Sequence, residues 1–420
     1  MPKVKFFTVG CKVNQYETQL MREIILSHLD FEEVEGSCLS DLYIINTCTV
    51  THRADRDSLN LIRKAREESP LALIVACGCL TELDSEKIKG IDRRIIIVKN
   101  KEKKELLKKL PFTDYRLPIN NYQGISYFKG HTRAFLKIQD GCNNFCSYCK
   151  VPLVRGPSIS KELEKIIEEF KNLISNGYKE IVLCGVSLGS FGKDLKENTN
   201  LIRLLESLDN LQGDFRIRLS SLEAWDIDDE FMEKINKIKK LCPHLHIPMQ
   251  SGDSKILKLM NRPISPEFYL EKIEKLKEKI PDLVITTDVL VGFPQEEEEN
   301  FLNTLNLIKK IKPLKVHIFS FSPRPYTRAF HLEGKINEKE IKRRIDFLKE
   351  EVKKISYNVK KEFLGKNMRV LFESKEKEAC WVGFTDNYLK VKLLSKEDLK
   401  NRFLEVKLSS LRDDYILANL

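Results

Sequence analysis

Three cysteines fall close together at Cys142, Cys146 and Cys149, spaced Cys-x3-Cys-x2-Cys in Lys137-Ile-Gln-Asp-Gly-Cys-Asn-Asn-Phe-Cys-Ser-Tyr-Cys-Lys150. Three thiolates on one short loop can hold three irons of a [4Fe-4S] cube, for which a full set of ligands is four cysteines. The missing fourth ligand leaves one iron open to bind a further group and do chemistry, the distinction that separates open catalytic zinc sites from closed structural ones. Zinc is the competing occupant, but its usual pattern is two separated cysteine pairs, and the chain has no second Cys-x2-Cys. The spacing favours the cluster.

A second set of cysteines emerges from the first hundred residues. Strand-like apolar runs recur at 4–9, 42–46, 71–76 and 95–98, with helical patterns over 18–28 and 53–68. That alternation predicts a small parallel α/β sheet. Cys11 follows the first run in Val9-Gly-Cys-Lys-Val-Asn-Gln-Tyr-Glu17, Cys48 the second in Ile45-Asn-Thr-Cys-Thr-Val50, and Cys79 the third in Val75-Ala-Cys-Gly-Cys-Leu80. Ligand sites in open α/β sheets lie beyond the carboxyl ends of the strands, so the three cysteines are expected to converge on one edge. Cys77 is the rival to Cys79; strand alternation directs Cys77 into the packing and leaves Cys79 in the loop.

These sites need elements to position them. After a polar, turn-rich stretch at 113–129, six strand candidates (134–139, 180–186, 215–221, 244–249, 284–291 and 315–320) alternate with helical patterns at 161–175, 201–208, 230–238, 266–279 and 299–311. Six β/α units are two short of a full barrel and predict an open, partial one, with the Cys142–Cys149 loop at the carboxyl end of its first strand, where barrel active sites lie. Gly185, Ser220, Glu223, Gln250 and Asp288 stand at or near the other strand ends, Gly185 having no side chain to keep a ligand from the backbone. Arg155 is a candidate for a carboxylate or phosphate, which guanidinium grips with two hydrogen bonds. His244 and His246 share a strand face but have no apparent third ligand, and they read as strand residues. Cys38, Cys184, Cys242 and Cys380 read as scattered thiols. A long helical pattern at 337–363 leads to short strands at 368–372, 380–384, 388–393 and 403–407, a small β-barrel. Trp381, Phe384, Tyr388 and Lys390 there suit base stacking and phosphate contact, although such aromatics equally form a barrel's core.

Composition bounds the partners. The chain has 420 residues, a net charge of +10 and an odd count of 11 cysteines. The charge suits a polyanion such as RNA, but lysine is spread along the whole chain and a lysine-rich composition explains it equally. The odd count argues against a complete disulfide framework and for metal sites. No apolar run approaches the ~20 residues of a membrane span, and Met1-Pro-Lys-Val-Lys-Phe-Phe opens no signal segment. The expectation is a soluble, cytoplasmic protein with no membrane partner.

With Tyr148 just before its last cysteine, Cys-x3-Cys-x2-Cys resembles the signature of radical S-adenosylmethionine (SAM) enzymes. In that superfamily SAM chelates the open iron and is cleaved by an electron from the cluster to a 5′-deoxyadenosyl radical. Gly10-Cys-Lys-Val-Asn-Gln-Tyr-Glu17, Asn46-Thr-Cys-Thr-Val-Thr51 and Gly78-Cys79 add a resemblance to the methylthiotransferases, which carry an auxiliary [4Fe-4S] cluster in an N-terminal domain. The resemblance implies metal ligands Cys11, Cys48, Cys79, Cys142, Cys146 and Cys149. It also implies a SAM and substrate cleft drawn from Tyr148, Arg155, Gly185, Ser220, Glu223 and Gln250, with no catalytic residue beyond the cluster ligands. It divides the chain into an N-terminal domain (1–112), a radical SAM partial barrel (128–355) and an RNA-binding TRAM-like barrel (364–420), the last resembled in Gly383-Phe-Thr-Asp-Asn-Tyr-Leu-Lys-Val391. The start motif, Cys142-Asn-Asn-Phe-Cys146 and Phe321-Ser-Pro-Arg-Pro-Tyr-Thr-Arg-Ala-Phe330 look most like the branch that forms the 2-methylthio derivative of threonylcarbamoyladenosine beside the tRNA anticodon. The isopentenyladenosine and ribosomal-protein branches are the alternatives, and a non-catalytic metal-containing RNA-binding protein is the alternative of another class. Partners implied are the tRNA anticodon stem-loop, an electron donor such as flavodoxin or ferredoxin, and a sulfur donor. Gln295 stands in Gly-Phe-Pro-Gln where many relatives have glycine, and only a changed loop is expected there.

Overall fold

The computed structural model describes residues 1–112, 124–196, 199–376 and 379–420; most of the turn-rich stretch read at 113–129 lies outside them. The first domain is a parallel five-stranded sheet in the order Glu32–Glu33, Lys3–Thr8, Leu42–Thr47, Leu73–Gly78, Ile96–Val98. Its central strand is buried along its whole length, as a parallel strand covered on both faces must be. Helices Lys12–His28 and His52–Glu68 supply the cover, the second capped by Thr51, which accepts from the Ala54 amide. The register pairs Thr8 with Asn46 and Thr47 with Gly78. The three strands therefore end level, and Cys11, Cys48 and Cys79 leave them at the same edge.

Six parallel strands form the central domain in chain order: Arg133–Lys137, Glu180–Cys184, Arg216–Leu219, His244–His246, Val284–Val291 and Lys315–Ser320. They make two three-stranded sheets joined by single bridges Ile217–Leu241 and Ser221–His246, giving a partial barrel. Alternation sorts the last three strands into two faces. Leu245, Ile285, Val289, Val291 and Val316 join the main core, and His244, His246, Thr286, Asp288, His317 and Phe319 meet one another on the opposite, inner face. The six-residue helix Ser254–Leu259 has no counterpart in the sequence reading.

Helix Lys12–His28 lies along the first barrel strand, and the two domains share one hydrophobic core. At the seam the buried Glu17 carboxylate meets Lys103 at 2.5 Å, Lys137 at 2.7 Å and Arg155 at 3.1 Å. Burial alone would raise Glu17, but Arg155, Lys103 and Lys137 outweigh it and hold the carboxyl well below its usual range.

Helix Glu338–Lys361 leads to a closed five-stranded barrel that includes a last strand, Ile416–Asn419, also unanticipated. Its aromatics correct the base-stacking expectation. Trp381 is in the barrel core. Tyr388 instead enters the floor of the central barrel, where it stacks on His244 at 4.6 Å and on Phe384 at 5.1 Å, with the Arg218 guanidinium over its ring. Lys390 is held by Asp414 at 2.9 Å. Among the described residues, no helix is long and apolar enough to cross a membrane.

Candidate cofactor and substrate site

Two glycines shape the first cysteine set. Gly10 has φ +107°, and a Cβ there would fall 2.9 Å from the Cys48 sulfur; Gly78 has φ +97°, and its Cβ would fall 2.3 Å from the Thr47 carbonyl oxygen. Both let the chain turn sharply off its strand where the thiols gather. Cys11 is exposed and Cys48 and Cys79 are buried. Burial pushes the Cys48 thiol up to about 12, with the neighbouring Cys79 and Cys11 adding to it, and burial also raises Cys79. Cys77 points into the sheet packing, 3.7 Å from the Met21 sulfur.

The second set sits on a loop clamped by the Cys142 amide donating to the Gly156 carbonyl (3.1 Å) and the Cys149 amide donating to Cys146 (3.0 Å). Backbone N–H groups of Asn144 and Val151 point at the sulfurs of Cys142 and Cys149, each at 3.4 Å. Burial pushes Cys149 up to about 12 and raises Cys142 and Cys146. Thiols so disposed give up their protons to a bound metal, whose positive charge offsets the burial that holds them protonated.

Around this loop the structure places the other candidates. Tyr148 packs edge-on to Phe293, with ring centres 6.4 Å apart. Glu223 binds Arg262 at 2.5 Å. Arg262 also donates to the Pro248 carbonyl, comes within 3.9 Å of the Cys146 sulfur and lies over the Trp225 ring. Sequence reasoning missed Arg262; a lone arginine in a short turn carries no pattern. Gln250, at φ +67°, is tied through its backbone to Asp288 and Leu290 of the fifth strand. Among the described residues Ser220 Oγ and Arg262 Nε are buried without a hydrogen-bond partner, and such groups fit a polar ligand such as SAM.

Two expectations are corrected. The space left by Gly185 is taken by Gln139, whose Oε1 lies 2.8 Å from where a Cβ would be and accepts from the amides of Val186 and Ser187. Arg155 lines a cavity at the seam but does not offer a free guanidinium: it is occupied by Asn14, Glu17 and Asp140, so it fastens the N-terminal helix to the barrel. Gln295, in the loop where glycine was noted to be usual, takes φ +67°, the conformation glycine adopts freely.

The flanks of the two cysteine sets touch. Lys150, next to Cys149, donates to the Thr49 hydroxyl, next to Cys48, at 3.3 Å, and pairs with Asp84 at 3.5 Å. Asn100 reaches both the Cys79 sulfur (3.9 Å) and the Val154 carbonyl (2.8 Å). Arg324, from the loop after the sixth strand, donates to the Thr49 carbonyl and pairs with Asp55. Two incomplete thiol sets are thus held beside one barrel mouth.

Comparison with known proteins agrees with this geometry. Residues 136–308 match the radical SAM superfamily, and residues 3–99 match a family described as Uncharacterized protein family UPF0004. The threonylcarbamoyladenosine tRNA methylthiotransferase MtaB of Bacillus subtilis is 38% identical over 97% of this chain and 94% of its own. The chain belongs to the radical SAM methylthiotransferase family. The MtaB of Thermotoga maritima is 35% identical over 100% of this chain and 97% of its own. The tRNA-2-methylthio-N(6)-dimethylallyladenosine synthase of Thermodesulfovibrio yellowstonii is 36% identical over 92% of each. The fold resembles the radical SAM methyltransferase TsrM of Kitasatospora setae, with a TM-score of 0.57, 12% identity, and coverage of 78% of this chain and 77% of that one. Enzymes of this family use SAM and two [4Fe-4S] clusters, and two separate three-thiol sets fit that complement.

Proposed function

We propose that this chain inserts a methylthio group at C2 of N6-threonylcarbamoyladenosine next to the tRNA anticodon. The observation that carries the reading is the contact between the two cysteine sets, through Lys150 and Thr49, in a chain of this family. When bound, the clusters and SAM supply one-electron and sulfur-insertion chemistry, which an unactivated purine carbon requires. The chain's own residues hold and orient. Cys142, Cys146 and Cys149 would hold one cluster and leave one iron for SAM, with Glu223, Arg262 and Ser220 beside it. Cys11, Cys48 and Cys79 would hold the other. Packing of the first domain against the barrel through Glu17 and Arg155 would fix the two cysteine sets relative to each other.

In this reading the chain divides at 1–112, 128–355 and 364–420, the last part engaging the stem-loop through a surface other than Trp381, Phe384 and Tyr388. The enzyme would act in the cytoplasm, with an external electron donor such as a flavodoxin or ferredoxin and a sulfur donor. Nucleoside mass spectrometry of tRNA from cells with and without the gene tests it. Loss of 2-methylthio-threonylcarbamoyladenosine on deletion is the expected result. Loss of the isopentenyl form instead would transfer the substrate and keep the chemistry, and no change in any methylthio nucleoside would refute the tRNA reading.

A further inference from the structure

The motif Gly-Cys-Lys-Val-Asn-Gln-Tyr-Glu17 is only partly explained by cluster binding and domain packing. Asn14, Tyr16 and Glu17 are buried at the seam, Tyr16 donating to Glu169 at 2.9 Å. Lys12 is exposed and forms no ion pair among the described residues. It opens helix Lys12–His28, which packs along the first barrel strand, and follows Cys11 directly; its charge reaches His244, His317 and Tyr388.

Opposite stands a cluster that the sequence did not bring together. Ligand atoms of His246, Asp288 and His317, from three adjacent strands, lie within 4.8 Å of one another. His246 is committed on both sides, with Nε2 3.3 Å from Asp288 and Nδ1 2.9 Å from the Thr286 hydroxyl. His317 is not. Its ring meets His246 edge-on at 5.7 Å and stacks with Phe319 at 6.5 Å, and among the described residues neither of its nitrogens has a hydrogen-bond partner. Phe319, 47% exposed, is two residues nearer the strand's carboxyl end, towards the cysteine loop. It offers a ring face where a purine would sit, with His317 two residues deeper along the strand.

We propose that Lys12 and His317, backed by the His246–Asp288 pair, bind the carboxylate of the threonylcarbamoyl group and select this anionic substrate over an uncharged alkyl adenosine. The inference rests on the substrate reading given above. Asp288 here is engaged by His246, and among the described residues Lys12 and His317 are left as an unpaired cation and an unpaired nitrogen donor, with Lys315 two residues before His317 adding positive charge. An anion satisfies both, and a branched alkyl group would desolvate them with no return.

The test uses reconstituted holoenzyme and anticodon stem-loop RNAs bearing threonylcarbamoyladenosine, its carboxamide analogue or isopentenyladenosine, with wild type, Lys12→Gln and His317→Phe. Wild type is expected to bind the acid about 10- to 100-fold more tightly than the amide, the range of one or two charge-assisted hydrogen bonds. Each variant should lose that preference through KM, with kcat, iron content and amide binding unchanged. Equal wild-type affinity for acid and amide, or variants that lose both alike, would overturn the inference while leaving methylthiolation intact. Failure of wild type to modify the threonylcarbamoyl stem-loop at all would sink the substrate reading and this inference with it. A stoichiometric metal other than cluster iron, lost in His317→Phe, would overturn it in favour of a metal site.

Discussion

Arg262 has four neighbours of different kinds: a carboxylate, a carbonyl, a sulfur and an indole. Its side chain is 1% exposed and that of Glu223 is 18% exposed. Arg262→Ala therefore strands a largely buried carboxylate beside three thiols, and removing one partner of such a pair costs about 3 kcal/mol. In a background with Cys11, Cys48 and Cys79 changed to alanine, so that one cluster remains, Arg262→Ala should lower the urea midpoint and the iron retained after reconstitution. Arg262→Lys keeps the charge but not the fork and should recover only part of both. Unchanged iron content would show that Arg262 does not support the loop. Cys142, Cys146 and Cys149 stood out because Cys-x3-Cys-x2-Cys is a local pattern, and Cys11, Cys48 and Cys79 because each follows a strand-like run. Arg262 and Arg155 did not, because each finds its meaning in a partner 39 or 138 residues away. His246 likewise became more than a strand residue only when folding delivered Asp288 and His317.

At the scale of elements, the strand ends carry the prediction. Gly78 closes the strand Leu73–Gly78 of the first domain in a left-handed conformation, with the neighbouring strand's backbone 2.3 Å from any added Cβ. Gly78→Ala combines the cost of positive φ, about 1 kcal/mol, with a clash that backbone cannot relieve cheaply, for a total of at least about 2 kcal/mol. The displacement falls on Cys79, one residue on. Iron analysis should show loss of one cluster's worth of metal, and SAM binding to the remaining cluster should persist. Loss of both clusters together would contradict the separateness of the two sites. Most strands and helices were readable to within one or two residues because their apolar periods are long enough to register. The helix Ser254–Leu259 and the strand Ile416–Asn419 were not, since six and four residues span too little of a period to stand out from a turn.

At the scale of the whole molecule, the sequence divides the chain into three parts but does not say how they dock, because the docking groups are isolated charges brought together by long-range folding. Glu180 shows this. Fully buried in the barrel floor, it pairs with Arg216 and Arg218, each at 2.6 Å, and with Arg133 at 3.7 Å. Arg216 in turn holds Asp386 of the C-terminal barrel at 2.6 Å, beside the Tyr388 ring that plugs the floor. Burial alone would raise the Glu180 carboxyl, but Arg216, Arg218 and Arg133 together hold it well below the usual carboxylate range. A depressed folded value means stability that is complete above the ordinary carboxylate pKa, about 4.3, and is lost as pH falls towards the folded value. Glu180→Ala should cost about 3–5 kcal/mol at neutral pH by leaving three arginines face to face. Hydrogen exchange should quicken in Phe384–Tyr388 as the C-terminal barrel loosens. Glu180→Gln, which keeps the shape, should remove part of the acid sensitivity: its urea midpoint should fall less steeply than that of wild type below about pH 4.5. Identical slopes would mean that another carboxylate, with Glu17 the first to examine, carries the acid response, and that the floor network fixes the docking geometry without setting its pH dependence.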